Sequence, residues 1–178
     1  MNLKNINFKL VIIILIITLL LLFSIKYIYK KYNVEEPLKG ILEKDERIQG
    51  YKIEKKGTKY EIIITLNNNF EDLDYVYREI NNNISRIIKR ENFKIELEGV
   101  ENKKLKDAYY LLHFSLYENI EKGNFTQMYK DLVEISTEMN INEYKITIDN
   151  ENIYLQLRDN DNSLYRVINR KQREIYTK

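Results

Sequence analysis

The sequence predicts an α+β protein: one N-terminal transmembrane helix followed by a soluble body in the order β-β-α-β-α-α-β-β-β. Two observations predict it. From Leu10 to Ile25 the chain carries no charge and is Leu, Ile and Val almost throughout. After residue 46 the apolar spacing switches repeatedly between two and 3.6, the mark of strands mixed with helices.

By this reading residues 1–9 are an N-terminal tail, 10–28 the transmembrane helix and 29–46 a juxtamembrane linker. Residues 47–170 are the body and 171–178 a charged tail. At 1.5 Å per residue the uncharged run covers about 24 Å, and Phe8 to Ile28 about 31 Å, against a hydrocarbon core of roughly 30 Å. Lys9 and Lys26 snorkel toward the headgroups, and Tyr27, Tyr29, Lys30 and Lys31 complete the expected membrane interface. The rival reading is a signal peptide, which needs small residues at its cleavage site. Here the chain reads Phe23-Ser24-Ile25-Lys26-Tyr27, and Ala108 is the only alanine in the protein, so an uncleaved single-pass anchor in the cell membrane is expected. The Lys/Arg bias leans toward a cytoplasmic body, but a short lysine-bearing N-terminus kept inside suits export equally, and both orientations stay open.

The body opens with a β-β-α-β unit, residues 47–99. The linker before it holds the only proline, Pro37, and Gly40. Arg47 to Lys55 and Lys59 to Leu66 read as a hairpin around Lys56-Gly57-Thr58, with Tyr60, Ile62, Ile64 and Leu66 on one face. Asn69 is placed to cap a helix from Phe70 to Lys89, whose apolar stripe leaves Asn81-Asn82-Asn83 mostly toward water. Phe93, Ile95 and Leu97 alternate with charged residues as a third strand.

Residues 100–170 predict a helical hairpin and a three-stranded meander. A helix from Lys103 to Lys122 ends at Gly123, and Asn124 with Gln127 resembles a capping box for the next. Phe125, Met128, Leu132, Ile135 and Met139 give that second helix its stripe. Three strand patterns follow, at Tyr144–Ile148, Ile153–Leu157 and Leu164–Ile168. Their short Asp/Asn-rich links favour antiparallel pairing.

Composition limits the function classes. Residues 1–33 hold five lysines and no acid, leaving 24 basic against 27 acidic side chains in the rest, a formal charge of −3. That is not the basic excess of a nucleic-acid binder. The chain has no cysteine, which excludes disulfides and thiolate metal sites. Abundant Lys, Asn, Ile and Tyr fit the codon bias of an AT-rich genome better than a stacking surface.

Candidate chemistry is sparse. His113, the only histidine, lies mid-helix with Tyr109 and Tyr117 at i−4 and i+4, and no second ligand or orienting acid accompanies it in sequence. Asp159, Asp161 and Ser163 imitate the start of a calcium loop, but its sixth and twelfth positions hold Leu164 and Arg170. Glu35, Glu36, Glu43, Asp45, Glu46, Asp72 and Asp74 supply carboxylates in linkers and first turns. Asn83 and Asn124 match glycosylation patterns but fall at helices. There is no P-loop, dinucleotide turn, nucleophile elbow or H-E-x-x-H pair. No catalytic, cofactor or metal residue is therefore assigned, and no cofactor is expected. One further feature stands out: the Lys103–Lys122 helix carries a second apolar stripe at Tyr110, Phe114 and Tyr117. It is either buried within the domain, the expectation here, or a partner surface.

The rhythm Gly50-Tyr51-Lys52-Ile53, Tyr60 to Leu66 and Phe93 to Leu97 around one helix is similar to half of a ferredoxin-like domain. It resembles the soluble domains of cation diffusion facilitators, without their metal-binding histidines or multi-span region. It resembles equally the ring-building modules of membrane-anchored secretion and sporulation proteins. The resemblance implies lateral association beside a membrane. The function expected is a non-catalytic interaction or assembly module in a membrane complex, partnered by the bilayer and by other subunits or copies of itself, with no nucleic acid. A ligand-sensing or substrate-presenting domain serving a membrane enzyme or transporter is the alternative. A membrane-tethered hydrolase comes third.

Overall fold

The computed structural model describes residues 8–170, so residues 1–7 and the charged tail 171–178 lie outside the described residues. Helix α1 (Phe8–Lys30) is long and apolar enough to cross a membrane. The Thr18 and Ser24 hydroxyls bond back along the helix, Thr18 Oγ1 to the Ile14 carbonyl and Ser24 Oγ to the Leu20 carbonyl, each at 2.8 Å. Neither then presents an unsatisfied donor to an apolar solvent.

The stretch expected to be a linker is helical. A π-helical turn (Lys31–Glu35) joins α1 directly to α2 (Glu36–Lys44). Pro37 explains the wide turn. It has no N–H to give to the carbonyl four residues back, and its ring crowds that carbonyl. At the start of α2 the missing N–H does no harm. Leu38 and Leu42, one turn apart, are then fully buried in the body. Tyr51 donates to Glu43 at 2.7 Å, and Arg47 grips Asp45 through two nitrogens at 2.7 and 2.6 Å while reaching Glu79 at 2.9 Å. These contacts fix the corner between α2 and the first strand.

Two small sheets make up the β structure. In the first, β1 (Ile48–Lys56) pairs antiparallel with β2 (Lys59–Leu66), turning at Gly57 with φ +63°. β2 pairs in parallel with β3 (Phe93–Glu98) across the helix α3 (Leu73–Ser85). Tyr60, Ile62, Ile64, Leu66, Ile95 and Leu97 face inward against α2 and α3. The other face of this sheet, with Lys94 and Glu96, is left to solvent.

Helix α3 departs from the sequence expectation in three ways. It starts at Leu73, because Asn67 takes the Asn69 N–H into a local turn and Phe70 packs on Tyr165 instead of entering the helix. It ends at Ser85, short of Lys89. Asn81 is buried instead of facing water, because α3 is overlain by a second sheet that the helical period alone does not reveal.

That second sheet is the antiparallel meander β4 (Glu143–Ile148), β5 (Asn152–Asp159) and β6 (Asn162–Asn169). One face, with Ile153, Leu155, Leu157, Leu164 and Ile168, packs under the hairpin of α4 (Lys103–Lys122) and α5 (Phe125–Glu138). The opposite face sends Tyr154 and Tyr165 into the α3 core. β6 lies beside β3, pinned where the Ser163 N–H reaches the Val100 carbonyl at 3.0 Å. Gly99 makes this approach possible, since a Cβ there would be driven into the Ser163 carbonyl.

Caps fix the hairpin. Asn102 accepts the Leu105 N–H at 2.8 Å, and Gly123 closes α4 at φ +64°. Asn124 accepts the Gln127 N–H at 3.2 Å, but the Gln127 side chain turns to Asp131 at 2.7 Å, so the capping box is half formed.

Candidate functional site

Helix α4 buries one face and shows the other. Leu105, Ala108, Leu112 and Leu116 recur at helical spacing and pack on β5 and β6. Its flank against α5 is polar: Ser115 donates to Asp131, and Asn119 donates to the same carboxylate at 3.0 Å. The hydrogen bond from Ser115 leads the causes that hold the Asp131 carboxyl below its ordinary value, against a smaller upward push from burial.

The remaining arc is aromatic and uncovered. Tyr110 and Phe114 are 66% and 62% exposed, edge to face at 5.6 Å, with Leu111 half exposed beside them. The expectation that the domain buries this stripe is thus corrected for Tyr110 and Phe114, because the main packing of α4 is with β5, β6 and α5, on its other sides. Tyr117 is half-buried and lies 4.6 Å from the His113 ring, which also touches Tyr109 and Phe114. His113 therefore sits inside a row of rings. Beneath the row, a cleft of about 260 Å³ separates β3 from β6, walled by Tyr109, Tyr117 and Arg166. Arg166 lies over the Tyr109 ring and pairs with Glu101 at 2.7 Å.

A second concavity lies where α3 meets the β4–β5 turn. Two adjoining hollows of about 340 and 370 Å³ share Tyr77, Asn81, Arg90, Glu151 and Asn152. Burial raises the Tyr77 hydroxyl above its ordinary pKa. Tyr154 donates to Asp149 at 2.7 Å, and the Asn152 amide donates to Tyr154 at 3.3 Å. Burial pushes the Asp149 carboxyl up, but the Asn152 N–H, the Tyr154 hydroxyl and the Glu151 N–H outweigh it and hold it below the ordinary value. Asn81, 8% exposed, lines both hollows. The sequence signal for this site is the Asn run in α3, which the helical period alone places mostly toward water.

The other candidates fall into place individually. Asp159 accepts from Lys104 at 2.8 Å and from Asn102 at 3.3 Å, so the calcium-like stretch is a hairpin turn tied to the start of α4, with Asn160 at φ +54°. Among the described residues, no group of three metal-ligating side chains converges. Asp45, Asp72, Asp74 and Glu43 bind Arg47, Lys145, Arg78 and Tyr51, each a separate contact. Asn83 lies within α3, and Asn124 is engaged as a cap. At the expected membrane interface, Lys9 is exposed and Lys31 half-buried, while the side chains of Lys26, Tyr27, Tyr29 and Lys30 lie outside the described residues.

No protein-family model matches this chain, and no curated protein matches it either. The architecture itself defines the class: a mixed α+β body of helices and two small sheets, preceded by an apolar helix of membrane-spanning length. A signal sequence shares the length and composition of such a helix.

Proposed function

We propose that this is a single-pass membrane protein whose body is a non-catalytic assembly module, held beside other subunits of a membrane complex or copies of itself. The observation that carries the reading is the row of exposed rings on α4, Tyr110 and Phe114, which the domain leaves uncovered. Large aromatics in the open cost solvation free energy and mark contact surfaces when they cluster. Retention of α1 is supported by its continuation through the π turn into the buried Leu38 and Leu42. The ferredoxin-like pattern of the first unit, shared with ring-building modules, points the same way. Cross-linking in intact membranes, followed by gentle extraction, tests this. A discrete higher-mass complex is expected, and a body that stays monomeric and partner-free overturns it.

A second reading, a ligand-sensing or substrate-presenting domain, is favoured by the cleft around Asn81. Asn81, nearly buried and lining both hollows, offers a polar group of the kind that orients a small ligand. A screen of small polar compounds by ligand-detected NMR on the membrane-embedded protein tests it. Binding lost in Asn81→Leu supports it, and no binding refutes it.

A further inference from the structure

Charge is segregated along the first sheet. β2 and β3 start together, Tyr60 beside Phe93, so the β1–β2 turn and the chain leading into β3 share one end. Lys55, Lys56 and Lys59 stand exposed at that turn, and Arg86, Lys89 and Arg90 on the chain after α3. Part of this charge is matched within the body. Lys56 pairs with Glu61 at 2.5 Å, Lys52 with Glu54 at 2.5 Å, and Arg90 with Glu151. Exposed Glu91 and Glu96 flank Lys94. A basic excess remains, because Lys55 lies over the Tyr60 ring and Lys59, Arg86 and Lys89 form no ion pair among the described residues. The other end of the sheet exposes Glu46, Glu71 and Asp72. The dipole of α3 accounts for acids at its start and bases beyond its end, but not for lysines on a strand turn.

The route of α2 gives this segregation a direction. The short link Asp45 to Arg47 turns the chain from α2 into β1, and β1 returns alongside, with Tyr51 bonded to Glu43. Val34 in the π turn and Ile53 in β1 pack on the same core. Nine residues of β1 span about 27 Å and nine of α2 about 13 Å. The lysine turn therefore overshoots the start of α2 by roughly 14 Å, about nine residues of helix, and reaches the height of the last turns of α1. We propose that this basic end docks on the anionic phospholipid headgroups of the leaflet from which α1 emerges. The proposal rests on α1 being a retained span, the anchoring half of the reading above. Bases next to a span are drawn to acidic lipid within about one Debye length of the surface, roughly 10 Å. Residues 34–178 carry a formal charge of −3, so the attraction orients the body, basic end inward and acidic end away. A nucleic acid would meet the same net repulsion without the tether that holds the leaflet in reach.

The test uses the full chain in vesicles of phosphatidylcholine alone, or of phosphatidylcholine and phosphatidylglycerol in equal parts. With no native cysteine, Thr58→Cys at the lysine turn and Glu46→Cys at the acidic end each supply a single exposed thiol. The readout is the rate of reaction with a bulky uncharged maleimide, divided by that with a small one to cancel effects on the thiol itself. Phosphatidylglycerol should slow this ratio at residue 58 and leave residue 46 unchanged, and high salt should reverse the protection. Lys59→Gln and Lys89→Gln should each restore the ratio by up to roughly fivefold. Equal ratios in the two lipids overturn the docking and leave the anchor standing. Protection of residue 46 in place of 58 overturns it too, since the opposite end then faces the leaflet. A chain that fails to float with phosphatidylcholine vesicles overturns the span, and the docking with it.

Discussion

The docking of α2 makes a quantitative prediction. Leu38 and Leu42 are 0% and 1% exposed, seated in the core that β2 and α3 build. Fully burying a leucine side chain contributes about 1.5–3 kcal/mol, and truncation to alanine costs about 2–5 kcal/mol because a cavity remains. The two residues share one cavity, so their losses are not additive. A combined cost of about 4–7 kcal/mol follows for Leu38→Ala/Leu42→Ala. That is a large part of the roughly 5–15 kcal/mol holding an ordinary domain folded. In a soluble chain starting at Val34, urea unfolding followed by circular dichroism and tyrosine fluorescence reads the loss. With a slope of about 1–3 kcal/mol per molar urea, the midpoint should fall by roughly 1.3 M or more, or folding should fail outright. Lys39→Ala, on the exposed side of α2, should leave the midpoint unchanged. A double variant that unfolds within about 0.3 M of its parent, a small fraction of that slope, would refute the placement of α2 in the core.

Other outcomes follow from single contacts. Gly99→Ala forces a methyl group into the Ser163 carbonyl, so the join between β3 and β6 should open and the thermal midpoint should drop sharply. An unchanged midpoint would mean that the two sheets do not meet there. Hydrogen bonds from Arg47 hold the Asp45 carboxyl below its ordinary value, more than offsetting burial. A depressed carboxylate stabilises the fold above its unfolded pKa of about 3.9 and loses that contribution as pH falls through the folded value. Between pH 5 and 2 the parent should therefore lose more stability than Asp45→Asn, and parallel curves of urea midpoint against pH would exclude the effect. Tyr110→Ser/Phe114→Ser should leave the urea midpoint nearly unchanged while abolishing the membrane cross-link. A large midpoint loss would show that the rings support the fold instead.

Local signals in the sequence mapped well onto local structure. The alternation through Tyr60, Ile62, Ile64 and Leu66 places those residues inside. Gly123 takes the left-handed position that ends α4. What stayed hidden depends on which element lies over which. Pro37 and Gly40 read as breakers, yet proline near a helix start loses nothing, and the i, i+4 pair Leu38 and Leu42 was the signal for α2. Asn81 reads as polar and outward until β5 covers α3. The exposure of Tyr110 and Phe114 depends on how many neighbours α4 has, which its own period does not contain. Gly99 and Ser163 meet across a long stretch of chain, and neither residue announces the other.

The unbroken helical path from α1 into the core also sets an azimuth. With α1 in a bilayer, its lipid-facing sides are locked in phase with the body through the turns between Lys30 and Leu38. One residue added there would rotate the body by about 100° and lift it by about 1.5 Å, and three or four would bring it nearly back into line. The π turn already accommodates one residue more than an α-helical turn does. The heading of the α4 rings within the membrane plane is thus set by residue count along this stem.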